Sequence, residues 1–191
     1  MELHDRHASE PVPSDELNLL RHFVNTRDVE GGEDEVGTPE LLASWLRARK
    51  MLPTSQRIDA DGHARAIALR EGLRALAAAN NGDTPDPHRV EDLNRVADGL
   101  PMLMRVAPGD WHLRPAKGGA DGFLAGLLGT LARSMADGSW ARVKACHRHD
   151  CRWLFFDQSR NRSGTWCSMA GCGSRMKSRA YRTRRREAPT V

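Results

Sequence analysis

The chain has 191 residues, 39% of them hydrophobic, which is enough to bury one ordinary core and to carry a small appended module. It contains no run of 18 or more apolar residues, and its first residues (MELHDRHASEPVPSDE) lack the apolar segment of a signal peptide. We therefore expect a cytoplasmic protein with no membrane partner.

The charge is divided unevenly along the chain. Although the formal net charge is +4, residues 141–191 carry 13 Lys and Arg against three acidic residues, and residues 1–140 carry 16 against 22. The C-terminal segment therefore has a charge of +10, and the rest of the chain has a charge of −6. A positive charge this local is typical of a segment that binds a polyanion such as nucleic acid.

Helical patterns dominate the N-terminal part. Residues 1–15 are polar and contain Pro11 and Pro13, so we predict a disordered lead. The next segment, Leu17–Val24, is apolar, and its spacing fits a helix or a strand equally well. Four further helices are predicted from caps and apolar spacing: Thr38 to about Met51, Ala64–Ala79, His88 to about Asp98, and residues 121–136.

One β-hairpin interrupts the helices. Met102–Val106 and Trp111–Arg114 alternate apolar and polar residues on either side of Pro108-Gly109-Asp110, a sequence typical of a turn. A boundary follows at Asp137-Gly138-Ser139, where Ser139 is expected to cap a short helix. The sequence thus predicts an α+β, mainly helical fold, with an N-terminal domain at 16–138 and a small module at 139–191 that ends in a basic helix.

The four cysteines of the chain all lie in this module, as two Cys-x4-Cys pairs: Cys146 with Cys151, and Cys167 with Cys172. Zn²⁺ prefers four tetrahedral ligands of this kind, and a tight turn lets both sulfurs of a pair face one ion. Disulfides are disfavoured in a reducing compartment. Because four thiolates leave no coordination position for water, we predict one Zn²⁺ per chain, with a structural rather than a catalytic role.

Two histidines lie inside the first pair. His147 or His149 could replace a cysteine as ligand, but four thiolates already complete the shell, so we expect these side chains at the surface or donating to a thiolate. Between the pairs, Trp153 and Phe155 are expected in a strand that covers the metal, ahead of a turn at 157–161. Stacking of these aromatic rings on unpaired bases is the alternative.

An Arg-rich segment follows the last cysteine. If it is helical, its basic side chains form one stripe at i, i+4, i+7 and i+11, flanked by three more: Arg175, Arg179, Arg182 and Arg186, with Lys177, Arg184 and Arg185. Such a stripe could lie along phosphates or enter a major groove. A solvated tail without a partner is the alternative, but a zinc module that fixes the start of the helix favours DNA binding.

The module resembles a known family, the CGNR zinc finger. Residues 146–184 contain an Asp-Cys-x-Trp-x-Phe-x-Asp-x-Ser segment, a Trp-Cys-Ser-Met lead to the second pair, and a following Lys/Arg-x-Tyr helix. The resemblance implies a zinc module that binds DNA. The motif that names the family reads Cys172-Gly173-Ser174-Arg175 here, with serine in place of asparagine. Serine retains a short side chain that can cap a helix, but a contact made by the asparagine amide does not carry over.

The N-terminal part is similar, more loosely, to the ABATE domain that precedes this finger in the family. The similarity lies in Phe23-Val24-Asn25-Thr26, in Trp45-Leu46 and in Leu69-Arg70-Glu71. It implies a stress-related transcriptional regulator.

We predict a DNA-binding transcription regulator and not an enzyme, because no set of residues in the sequence supports catalysis. The basic helix would supply most of the affinity, and the N-terminal domain would sense a small-molecule ligand or form a homodimer. Two alternatives stay open. One is a small-molecule-binding protein or enzyme centred on residues 17–140, with the module as a docking element; the other is a thiol-based redox sensor that releases zinc on oxidation.

Overall fold

The computed structural model describes residues 12–187, except for the side chains of residue 180 and residues 183–187. Within this range the fold is α+β and mainly helical, with two small two-stranded sheets. Residues 1–11 of the predicted disordered lead lie outside the described residues. The elements in chain order are α1 (Asp15–Val24), α2 (Pro39–Ala48), α3 (Ala60–Ala79), α4 (Pro87–Asp98), β1 (Met102–Ala107), β2 (Asp110–Pro115), α5 (Gly119–Ala136), a 3₁₀ turn (Ser139–Arg142), β3 (Val143–Ala145), β4 (Leu154–Phe156), a π-helical turn (Met169–Gly173) and α6 (Ser174–Glu187).

The segment that the sequence left open between helix and strand is helix α1. Ser14 caps it by accepting a hydrogen bond from the Leu17 backbone N–H at 3.2 Å, and acidic residues fill its first turn. The apolar side chains of Leu17, Leu20, Phe23 and Val24 are all buried. Their three- and four-residue spacing suits a helix that packs by one face.

Two predicted helices differ from the structure by three or four residues at one end. Helix α2 ends at Ala48 rather than near Met51, because Lys50 adopts a positive φ of 59° that a helix does not allow. Helix α3 begins at Ala60 rather than Ala64, because Asp59 caps it. The hairpin is confirmed, with β1 and β2 paired antiparallel from Met102 and Pro115 to Ala107 and Asp110.

One apolar core joins the two predicted domains. Within it the rings of Phe23, Trp45 and Phe123 meet edge to face, with centroids 5.2 to 5.8 Å apart. Val143 on β3 and Leu154 on β4 are fully buried in the same cluster of side chains. The module is therefore packed against the N-terminal helices, and it uses their apolar surface as well as its own.

Two local predictions for the module were wrong. Trp153, expected in a strand that covers the metal, precedes β4 and is 41% exposed, while Leu154 fills the core. Ser139 does not cap the 3₁₀ turn; it follows Gly138, and its N–H donates to the Asp137 carboxylate at 2.8 Å. Among the helices between residues 12 and 187, none is long and apolar enough to cross a bilayer.

Candidate functional site

The structure brings the four cysteines together. Their sulfur atoms all lie within 4.8 Å of one another, with 3.7 Å between Cys151 and Cys167 and 3.6 Å between Cys167 and Cys172. Four sulfurs bound tetrahedrally to Zn²⁺ at about 2.3 Å would lie about 3.8 Å apart, so the cluster fits such an ion. The same distances are too long for a disulfide, whose sulfurs are about 2.05 Å apart.

Burial makes a cation favourable at this cluster. Cys146 and Cys172 are buried. Desolvation, together with the negative charge of Cys146, raises the pKa of the Cys151 thiol to about 11. Like charges this close oppose ionisation, so four thiolates require a positive charge among them. A divalent ion that accepts soft ligands supplies that charge and displaces the protons.

Two different turns present the sulfurs. The first begins where β3 ends, and there the Cys146 N–H donates to the Trp153 carbonyl at 2.9 Å. The second is the π-helical turn that carries Cys172, and in it the Ser168 hydroxyl accepts from the Gly171 N–H at 3.1 Å. Each pair of sulfurs is thus held by backbone geometry as well as by any bound ion.

Arg148, which lies inside the first pair, is a residue that the sequence interpretation missed. Its guanidinium is 3.6 Å from the Cys172 sulfur, and only 6% of the residue is exposed. It also pairs with Asp150 at 2.5 Å and with Glu30 of the N-terminal part at 2.6 Å. Arg148 therefore contacts a predicted metal ligand without being one itself.

The two histidines of the first pair have other partners. His147 Nδ1 lies 3.3 Å from the Asp83 carboxylate, and His149 Nδ1 lies 2.8 Å from the Arg152 guanidinium. His149 is exposed and His147 is half-buried. The expected surface position agrees with the structure for His149 and only in part for His147, and the side chain that donates to a cysteine sulfur is that of Arg148.

A buried ion pair organises the loop between the cysteine pairs. Lys144 Nζ and Asp157 Oδ2 are 2.7 Å apart, and both side chains are almost fully buried. Asp157 also accepts hydrogen bonds from the backbone N–H groups of Ser159 and Gly164, at 3.0 and 2.8 Å. Burial alone would raise the pKa of Asp157, but Lys144 and these hydrogen bonds lower it to about 2. A β-carbon at Gly164 would meet this carboxylate at 2.7 Å, so the loop requires glycine there.

Polar side chains of the N-terminal part hold the module in place. Asn25 caps the end of α1, and its amide pairs with both backbone groups of Leu154 at 2.7 and 2.9 Å. Arg74 is buried and donates to the carbonyl of Arg152. After α3, the amides of Asn80 and Asn81 donate at 2.8 to 2.9 Å to four carbonyls: those of Trp140, Val143, Ala145 and Thr165. Because buried backbone groups need such partners, these contacts favour one orientation of the module.

The segment predicted to carry the basic stripe is helix α6. The side chains of Arg175, Lys177, Arg179 and Arg182 are exposed. Arg175 nevertheless pairs with Glu30 at 2.5 Å, a contact that the sequence did not indicate. The other three predicted DNA contacts have side chains outside the described residues: Arg184, Arg185 and Arg186. The role of the stripe in binding DNA stays a prediction.

Ser174, which stands where the family motif has asparagine, is not the expected helix cap. Its backbone is already helical, and its hydroxyl donates to the Met169 carbonyl at 3.0 Å. The side chain that accepts a hydrogen bond at the start of this helical segment is that of Ser168. Ser174 therefore does not cap α6, and its side chain links the start of α6 to the π-helical turn that carries Cys172.

Comparison with known families gives two matches. The ABATE model, described as "Putative stress-induced transcription regulator", matches residues 17–138. The CGNR zinc finger model matches residues 142–185, which include all four cysteines. No curated protein matches the chain. The two matches lie in the order, and on the segments, that the sequence resemblance implied.

Proposed function

We infer the function of this chain from the family to which it belongs: it is a member of the ABATE family and ends in a CGNR zinc finger. We propose that it is a DNA-binding transcription regulator in which one structural Zn²⁺ on Cys146, Cys151, Cys167 and Cys172 fixes the start of helix α6. The observation that supports this best is the sulfur cluster, which lies directly before a helix rich in arginine. A cytoplasmic location suits a site of four reduced thiols.

The proposed DNA contact is largely a contact with phosphates. Each phosphate neutralised on a duplex contributes a slope of about −0.9 to log K against log salt. If four basic side chains of α6 take part, a slope of about −3 to −4 is expected. The −6 charge of residues 1–140 opposes nonspecific attachment through the N-terminal part.

The double variant Arg179→Ala/Arg182→Ala is expected to weaken duplex binding and to flatten the salt slope by about two units, because two phosphate contacts are lost. Fluorescence anisotropy with a labelled 20-base-pair duplex, at salt concentrations from about 50 to 300 mM, measures both quantities. Arg89→Ala/Arg95→Ala removes the same charge from exposed positions on α4 and is the matched control. Equal affinity of the α6 variant and the control variant for the duplex would show that the basic stripe of α6 does not contribute to DNA binding.

A cavity in the N-terminal part supports the proposed role as a sensor. It has a volume of about 470 Å³ and lies between α1, the end of β2 and α5. Apolar side chains line it, including Leu19, Met51 and Phe123, and Arg114 and Lys117 are also at its wall. We propose that it accepts a small, mostly apolar ligand with a negatively charged group.

Gly126→Leu is expected to fill this cavity. Gly126 lines it, and a β-carbon there would be 4.0 Å from Pro115, an ordinary contact, so the new side chain can enter without displacing the helix. The probe is anilinonaphthalene sulfonate, which is apolar and anionic, and we expect the variant to lose most of the dye fluorescence. Ala132→Leu places a similar side chain on the exposed side of the same helix and should keep it. Equal fluorescence of both variants would contradict a ligand site here.

Homodimerisation stays a prediction, and redox sensing and an enzymatic or small-molecule-binding role centred on residues 17–140 stay alternatives. The thiol cluster, in which Cys151 and Cys167 are only partly buried, is compatible with oxidation chemistry once metal is released. No catalytic residue is proposed.

A further inference from the structure

The acidic loop of the N-terminal part, residues 27–34, reaches the zinc module through one carboxylate. Glu30 Oε1 lies 2.5 Å from the Arg175 guanidinium on α6, and Glu30 Oε2 lies 2.6 Å from the Arg148 guanidinium beside the sulfur cluster. One carboxylate thus bridges two cations that come from different parts of the module. Guanidinium groups bind phosphate oxygens with the same geometry as carboxylate oxygens.

The loop that carries Glu30 is a built turn. The Asp28 carboxylate accepts hydrogen bonds from the N–H groups of Glu30 and Gly31 at 2.9 and 3.0 Å, and Gly32 has a φ of 80°. At the base of the loop, Asp34 is held by both terminal nitrogens of Arg70, at 2.7 and 2.8 Å. The position of the Glu30 backbone is therefore set by the N-terminal fold.

The two sides of the contact differ in their freedom. Arg148 is almost fully buried and is fixed by Asp150 and the Cys172 sulfur, whereas 46% of the Glu30 side chain is exposed. Glu30 can thus turn into water while Arg148 stays in place. The surrounding groove has a volume of about 800 Å³ and is also lined by Arg179 and Arg182.

We propose that this groove is a phosphate-binding site for the DNA backbone, with Arg148 and Arg175 as the phosphate-binding pair and with Glu30 occupying the position of the phosphate when DNA is absent. The inference rests on the proposed DNA-binding function and adds Arg148 to the contact set. It also gives the N-terminal domain a direct effect on DNA affinity, because DNA must displace a carboxylate that this domain positions.

Glu30→Gln is the test, since it removes the charge and keeps the size of the side chain. The variant is expected to bind a mixed-sequence 20-base-pair duplex about three- to tenfold more tightly than the wild type, as expected for loss of a partly exposed ion pair. Its salt slope should stay within about one unit of the wild-type slope, because DNA displaces Glu30 in the wild type as well and the same phosphates are neutralised in both complexes. Glu33→Gln makes the same charge change at an exposed position of the same loop and is the matched control.

A second variant locates the effect. Adding Arg175→Ala to Glu30→Gln should remove most of the gain, because one of the two phosphate-binding groups is then missing. Equal binding by wild type and Glu30→Gln, weaker binding by Glu30→Gln, or an equal gain from Glu33→Gln would each overturn the inference while leaving the proposed function intact. If none of the proteins binds the duplex, the proposed function fails, and the inference fails with it.

Discussion

Replacement of Cys172 by serine is expected to release the metal and to unfold the zinc module. Serine is a much poorer ligand for Zn²⁺ than a thiolate, and metal binding contributes roughly 10–16 kcal/mol to the folding of small zinc modules. This is comparable with the whole stability of a typical domain, about 5–15 kcal/mol. Elemental analysis of protein purified without added metal should find one zinc per wild-type chain and almost none in the variant.

The loss of structure is expected to spread beyond the module. The sequence alone suggests that the N-terminal helices would stay folded after this change, but Val143 and Leu154 complete their core. Without the module, the apolar faces of α1 and α3 lose their cover, and the amide of Asn25 loses its partner. Thermal unfolding followed by far-UV circular dichroism should therefore show a lower Tm in one transition that includes all the helices.

Met169→Ser is the control for this experiment, because it introduces serine at an exposed position of the same turn. It should keep both the zinc and the Tm of the wild type. A Cys172→Ser protein that still carries one zinc per chain would contradict the assignment of the ligands. An unchanged Tm for the helices would contradict the shared core.

Short-range patterns predicted much of the fold. The cysteine spacing indicated a four-sulfur cluster, and the turn residues between β1 and β2 indicated the hairpin. Both patterns work because the interacting groups are close in sequence and the local geometry is restricted. The sequence did not distinguish a helix from a strand at α1, because an eight-residue apolar segment fits both periodicities. The feature that decides for a helix is the cap at Ser14, which lies just before the first helical residue.

The contacts between the two parts of the chain could not be predicted in this way. The Asn25 amide and the Leu154 backbone are 129 residues apart, and Glu30 and Arg175 are 145 residues apart. The spacing of residues within one helix or turn does not indicate which distant residues it will contact. The motifs that resemble the ABATE family did contain Asn25, but only the structure shows that its side chain meets the zinc module.

Arg70, from one of those motifs, is the centre of a buried charge network. Only 1% of its side chain is exposed, and it holds Asp34 through two hydrogen bonds and Glu71 through a third at 2.9 Å. Glu71 in turn holds Arg74, which contacts the module. Burial alone would raise the pKa of Asp34, but Arg70 lowers it below its usual value. The network thus links the core of the N-terminal part to both the acidic loop and the module.

Arg70→Met is expected to lower the free energy of unfolding by roughly 3 kcal/mol at neutral pH, because it leaves Asp34 without its main partner in a partly buried position. This corresponds to a fall in Tm of roughly 6–12 °C for a chain of this size. Arg95→Met, which breaks only exposed pairs on α4, should cost less than about 1 kcal/mol. Chemical denaturation of both variants measures the difference, and equal costs would contradict the importance of the network.

The pH dependence and the DNA affinity of Arg70→Met separate a local effect from a general loss of structure. A carboxylate with a lowered folded-state pKa stabilises the protein above its unfolded-state pKa, and this contribution is lost as pH falls. The stability gap between wild type and Arg70→Met should therefore narrow as the pH falls below about 4.

Because Arg70 also positions the loop that presents Glu30, the Arg70→Met variant should bind duplex DNA more tightly than the wild type at temperatures where both are folded. Weaker binding under those conditions would mean that the network positions α6 for DNA binding and does not position Glu30 as a competitor of the DNA phosphates.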